Sequence, residues 1–170
     1  MWFTMIFLLL LSSYHSYIFV SKGGELHDSK SYNYAHVGVY FGILGLLTGM
    51  FWAKYTWGTY WTNDPKLNGS AIGLLIYFGY FILRSSIEDE SKKGKISSVY
   101  NVFAFSMLIP LIFILPRLTD SLHPGNGGNP GFNVYDMNSQ LRLVFYPAVT
   151  GFIFLGLWIS DLRLKMLKLK

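Results

Sequence analysis

Residues Met1–Val20 read MWFTMIFLLLLSSYHSYIFV, twenty positions without an acidic side chain, a lysine or an arginine. About 20 predominantly apolar residues are needed for a helix to cross the hydrocarbon of a bilayer. The run is continuous rather than alternating, so it reads as a helix and not as a barrel strand. It has no basic lead-in and no A-x-A cleavage site. It therefore reads as a retained span rather than a signal peptide. Working outward, further apolar runs lie at about 37–53, 68–83, 97–116 and 143–160. The expected fold is all-α: one integral membrane domain over 1–170, a polytopic bundle of about five transmembrane helices.

Composition agrees. The chain has 170 residues, 52% hydrophobic, 18% aromatic and only 14% charged, against about 25% charged in soluble domains. Mean hydropathy is +0.35. The formal charge is +5, but the basic residues cluster at the ends of apolar runs, a pattern of membrane topology rather than of nucleic-acid binding. With no cysteine, the chain has no disulfide, Cys-based zinc or iron–sulfur site, or covalent c-type haem attachment. Metal chemistry falls to His, Met, Tyr or carboxylate, and the histidines are His15, His27, His36 and His123.

The connectors set an expected orientation. Segment 84–96 carries Arg84, Lys92, Lys93 and Lys95, and the tail 162–170 carries Arg163, Lys165, Lys168 and Lys170. Basic-rich connectors stay in the cytoplasm. With five spans, both reach it only if the N-terminus is outside. Lys54, Lys66, Arg117 and Arg142 then lie on the outer side against the rule. They are candidates for binding anionic groups, or they flank spans and snorkel. His27 and His36 fall on the inner side, with His36 at a helix start. His15, inside a span among Ser12, Ser13 and Ser16, is expected to hydrogen-bond within the bundle. Gly38, Gly42, Gly45 and Gly49 have the small-xxx-small spacing of close helix packing.

Between the second and third runs stands Trp57-Gly58-Thr59-Tyr60-Trp61-Thr62-Asn63-Asp64-Pro65-Lys66-Leu67. Two Trp and a Tyr within five residues form an aromatic shelf suited to a large planar ligand. The plainer reading is an interfacial aromatic belt. Asp64 is placed to cap the next helix or pair with Lys66, with Pro65 in its first turn. The 117–142 segment is read as an irregular loop, dense in Gly and Pro after His123. A loop histidine is ordinarily just solvated. On the same face as the shelf, though, His123 can hold a haem iron, and nearby Arg or Lys can meet the propionates.

The motif resembles the tryptophan-rich WWD signature of the haem-handling proteins of cytochrome c maturation, within them the CcmC subfamily (haem exporter protein C). The helix after the motif, Leu74-Leu75-Ile76-Tyr77-Phe78-Gly79-Tyr80, and the later Leu122-His123 are similar to the family's. The resemblance covers about 37–160. Tyr60 and Asn63 stand where the commoner W-G-T-W-W-V-W-D pattern has Trp. The family has six spans and a second haem-ligand histidine, in an H-V-P stretch at the outer start of its second span, whereas five spans and no such stretch are read here. Met1-Trp2-Phe3 reads as if it begins just after that stretch, so a misassigned start or a truncation is expected.

The resemblance implies haem b, held transiently and non-covalently at the periplasmic face of the bacterial inner membrane and delivered to a membrane-anchored haem chaperone. It implies as partners a small single-span accessory protein and ABC-type transporter subunits, besides membrane lipid. The implied haem site comprises Trp57, Gly58, Tyr60, Trp61, Asp64, Arg117 and His123, with His123 as the metal ligand and Asp64 orienting the shelf. This is binding and transfer, not enzymatic turnover. Two alternatives stand beside it: an outer-face membrane enzyme using Asp64 and His123 as an acid–base pair, and a structural membrane subunit.

Overall fold

The computed structural model describes residues 1–119, 121–123 and 137–168. Its helices are α1 (Trp2–Lys22), α2 (Glu25–Trp57), α3 (Pro65–Ser86), α4 (Glu90–Ile109), a π-helical turn (Pro110–Ile114), the short α5 (Leu115–Leu118) and α6 (Ser139–Lys168). No strand occurs among the described residues. Among the described residues, five helical stretches are long and apolar enough to cross a membrane: α1, α2, α3, the α4–α5 run and α6.

Helix boundaries are set by capping chemistry rather than by hydropathy. α1 ends at Gly23 and Gly24, both at positive φ (77° and 100°), where a Cβ would be strained. α2 then starts with Glu25 and Asp28 in its first turn, where acidic side chains complement the helix dipole. This corrects one expectation, a helix start at His36. The second helix runs over 33 residues, with the apolar run 37–53 inside it, and His36 lies well within it, its Nδ1 3.1 Å from the Tyr32 carbonyl. Segment 84–96 is likewise mostly helical. Asp89 caps α4, accepting from the Ser91 N–H at 2.9 Å, so Lys92, Lys93 and Lys95 lie on its first turns.

α1 and α2 form the antiparallel centre. α4 packs on α1 and α3, and α6 on α1 and α2. Gly38, Gly42 and Gly45 supply the close α1–α2 approach. A Cβ at Gly42 would come within 2.6 Å of the Met5 sulfur, and one at Gly38 within 2.9 Å of Leu9. Gly49 departs from the series, with nothing within 4 Å of a Cβ there.

One polar cluster inside the bundle ties three helices together, although the Asn101 Oδ1 and the Ser97 and Ser98 hydroxyls are buried with no partner among the described residues. The Nδ2 of Asn101 lies 2.7, 2.9 and 3.0 Å from the hydroxyls of Ser12, Ser16 and Ser31, joining α4 to α1 and α2. Ser12 and Ser16, four residues apart, share the face toward α2 and α4. His15 projects elsewhere, and its Nδ1 lies 2.9 Å from that of His27, so its hydrogen bond runs to α2 and not to its neighbouring serines. Nearby, Arg84 forks onto Asp28 at 2.8 and 2.5 Å while stacking over Tyr32 at 4.6 Å.

Candidate functional site

The site lies at the end of the bundle where α2 stops and α3 starts. α2 stops at Gly58, a left-handed C-cap (φ 80°, ψ −7°) whose N–H donates to the Lys54 carbonyl at 3.1 Å. The Lys54 ammonium returns to the Gly58 carbonyl at 2.9 Å and stands 5.5 Å from the centre of the Tyr60 ring. Gly58 and Lys54 thus build the turn that swings the aromatic motif back over α2.

α3 begins at Asp64. One carboxylate oxygen, Oδ1, accepts from the Lys66 and Leu67 N–H groups at 2.9 and 3.2 Å, an N-cap with Pro65 preorganised at the first position. Asp64 does more than cap. Its Oδ2 accepts from the Ser121 hydroxyl at 2.8 Å and the Leu122 N–H at 2.7 Å. The Nδ1 of His123 lies 2.8 Å from Oδ1. The Asp64 side chain is 0% exposed and that of His123 23%.

What brings Ser121–His123 over Asp64 is the distorted end of α4. Pro110 has no N–H, and the Leu115 N–H bonds back to the Pro110 carbonyl, an i→i+5 step that widens the helix into a π-turn. The Leu111 carbonyl is pushed toward α3, where a Cβ at Gly69 would lie 2.3 Å from it. Only glycine admits that approach. α5 then packs on α3 and carries Arg117, which is therefore helical and exposed rather than in an irregular loop. The Gly- and Pro-rich segment 124–136 lies outside the described residues.

Aromatic rings enclose the imidazole. Trp57 meets His123 edge-on, with ring centroids 4.8 Å apart and planes at 79°. Trp52 lies 6.0 Å away at 36° and packs edge-on against Trp57 at 5.0 Å. Tyr60 packs against Phe51 instead, at 5.9 Å. Tyr60 and Trp61 are 50% and 42% exposed. The rings thus form a set shared between the motif and the last turns of α2, with Trp57 turned to the histidine. Trp52 and Phe51 escaped the sequence reading. Their signal was present: Trp52 and Trp57 are five residues apart on one helix end.

Electrostatics define the protonation states. Burial works to raise the Asp64 carboxyl, but the donors Ser121, Leu122 and Leu67 and the neighbouring His123 outweigh it and hold it below the ordinary carboxylate value. Burial pushes the His123 imidazole down, and Asp64 offsets this only in part, while Lys66 adds to the depression. Both directions favour an uncharged imidazole beside an ionised carboxylate, with Nδ1 facing Oδ1 and Nε2 on the far side of the ring. Lys66, half-buried, interacts electrostatically with Asp64, Arg117 and His123.

The structure therefore brings together Trp57, Asp64, Lys66, Arg117 and His123. It places Gly58 and Lys54 in the helix stop, Tyr60 against Phe51, and Arg142 in the first turn of α6. The Nε of Arg142 is buried with no acceptor among the described residues. No cluster of three or more metal-ligating His, Cys, Asp or Glu residues occurs among them. One imidazole, two indole rings and nearby cations are a residue set that would fit a planar, metal-bearing group with anionic substituents.

These features define a polytopic helical membrane protein with an aromatic, histidine-bearing site at one end of its bundle. Comparison specifies the family. The profile of CcmC, Heme exporter protein C, matches residues 1–169, and the chain belongs to that family. It is similar to the Heme exporter protein C of Haemophilus influenzae, 26% identical over 140 residues, covering 80% of this chain and 54% of the relative. The protein of that name from Bradyrhizobium diazoefficiens is 27% identical over 135 residues, 79% of this chain and 51% of the relative. That from Rhodobacter capsulatus is 32% identical over 96 residues, 54% and 38%. The chain spans about half the length of the curated relatives it matches.

Proposed function

We propose that this chain binds haem b at the outer face of the bacterial inner membrane and presents it for cytochrome c maturation. The observation that carries the reading is the meeting of Trp57 and Asp64 of the motif with His123, which lies 59 positions beyond Asp64. His123 would ligate the iron through Nε2. Trp57, with Trp52, would lie beside the ring, and Tyr60 and Trp61 would offer exposed faces farther out. Arg117 and Lys66 would meet the propionates. Haem, when bound, would supply an iron centre that the His123 imidazole could ligate.

Orientation supports an outer site. By sequence position, Lys54, Lys66, Arg117 and Arg142 belong to the site end, and the other ten of the fourteen Lys and Arg residues to the opposite end. By the positive-inside rule this distribution supports a site away from the cytoplasm. The haem would then be delivered to a membrane-anchored chaperone, with a single-span accessory protein and ABC-type transporter subunits alongside, a reading that family membership supports. An acid–base enzyme is disfavoured, because Asp64 is wholly buried and both its oxygens are engaged.

The test is an absorption spectrum of the detergent-purified chain after expression with haem supplied. A Soret band that shifts or falls in His123→Ala is expected. The same band unchanged by that substitution would overturn the assignment of His123. Its absence even from a chain extended at the N-terminus to carry an upstream histidine would overturn the haem reading.

A further inference from the structure

We infer that Asp64 is the positioning residue of the haem ligand: it fixes His123 as the Nδ1–H tautomer, aims Nε2 at the iron and makes the imidazole a stronger donor. This rests on the haem reading above.

Three observations carry it. First, Asp64 Oδ1 lies 2.8 Å from His123 Nδ1. An ionised carboxylate can only accept, so the shared proton resides on the ring nitrogen. A metal-ligating histidine whose other nitrogen donates to a carboxylate is fixed in tautomer and raised in basicity.

Second, the carboxylate is itself held. Lys66 N and Leu67 N bind Oδ1, and Ser121 Oγ and Leu122 N bind Oδ2. The cap of α3 alone would need only the first two. The other two come from the segment that carries His123, and the Ser121 hydroxyl also accepts the His123 N–H at 3.2 Å. The whole Ser121–His123 step is thus referenced to one buried side chain. An acceptor pinned from both sides cannot follow the imidazole, so the imidazole must follow it.

Third, Trp57 and Trp52 limit rotation of the ring about the hydrogen bond. Trp57 stands nearly perpendicular to the imidazole and Trp52 inclined to it. With Nδ1 tethered and the ring walled, Nε2 points away from the Asp64 cap, toward the side where a ligand must come. Asp64 touches no reacting atom in this arrangement. It acts only through His123.

Three measurements test this. In the haem-free chain, 15N NMR of histidine-labelled protein reads the tautomer directly. His123 is expected as Nδ1–H with an unprotonated Nε2, and finding Nε2–H instead would overturn the inference without any variant. In the haem-loaded chain, resonance Raman of the ferrous form reads the iron–histidine stretch, and a redox titration reads the midpoint potential. Asp64→Asn keeps an acceptor for the cap but removes the charge. It should lower the stretching frequency and raise the midpoint potential. Asp64→Ala should also weaken haem binding by about 10–100-fold. Wild-type frequency and potential in Asp64→Asn, with the band lost in His123→Ala, would sink this inference and leave His123 as ligand. A band unchanged in His123→Ala removes both.

Discussion

His123 Nδ1 and Asp64 Oδ1 are 2.8 Å apart at the end of the bundle, with the carboxylate fully buried and the imidazole largely so. The pair gives stability a defined pH dependence. The folded imidazole titrates below its ordinary value because burial disfavours its charge. The unfolded chain takes up that proton near pH 6.5. The contribution is therefore whole above about pH 6.5 and is lost as pH falls toward the depressed folded value. Asp64 adds a contribution lost only at pH below the ordinary carboxylate range, about 3.9. The melting temperature of the haem-free chain should fall between pH 7 and pH 5, and less steeply in His123→Gln. Parallel slopes would count against the pair.

Trp52 lies outside the motif yet packs on both Trp57 and His123. Trp52→Ala and Trp57→Ala should each weaken haem binding by about tenfold, given about 0.5–1.5 kcal/mol for an aromatic pair beyond the burial it brings. Tyr55, 89% exposed on the same helix end, serves as a control whose alanine variant should bind as wild type. A Soret titration of the three variants decides it.

Gly69 and Gly49 should respond oppositely to alanine. A Cβ at Gly69 meets the Leu111 backbone oxygen at 2.3 Å, while one at Gly49 meets nothing within 4 Å. Gly69→Ala forces the π-turn and α3 apart, at a cost of about 1–3 kcal/mol. It should also disturb the His123 segment that follows. Gly49→Ala should be neutral or stabilising, since alanine is the better helix former by about 1 kcal/mol. Unfolding in mixed SDS micelles measures both.

Asp28 and Arg84 are 56 positions apart and their side chains are 19% and 13% exposed. Removing Asp28 alone leaves a guanidinium unpaired among apolar groups, for a loss of about 3 kcal/mol. The double change Asp28→Leu with Arg84→Met should recover most of it, because the desolvation of both charges disappears. Stability of the single and double variants by the same unfolding assay checks this. A single variant as stable as wild type would show that the pair is effectively solvated.

Much of the fold was legible because lipid simplifies the problem. A continuous apolar run must satisfy its own backbone, and helix is the solution. The Asp64-Pro65 start of α3 was equally readable, since an N-cap is a local bond between near neighbours. Helix limits were less so: the helix that carries the apolar run 37–53 starts at Glu25, because Gly23 and Gly24 and an acidic first turn, not hydropathy, open α2. His15 found His27 rather than the serines beside it, as helical rotation separates residues that sequence places together.

The candidate site divides along the same line. By itself the sequence determined the helical membrane class, the aromatic motif, the family likeness, and that His123 follows the fourth span. All of these are encoded in residue type and short spacing. Only the tertiary structure decided that Asp64 turns to His123 rather than to the aromatic rings, that Trp52 joins Trp57 beside the imidazole, and that Arg117 sits on a helix. Those contacts depend on a π-turn opened by Pro110 and admitted by the missing side chain of Gly69. The direction in which a distorted helix end points is fixed by packing against its neighbour, which no local pattern specifies.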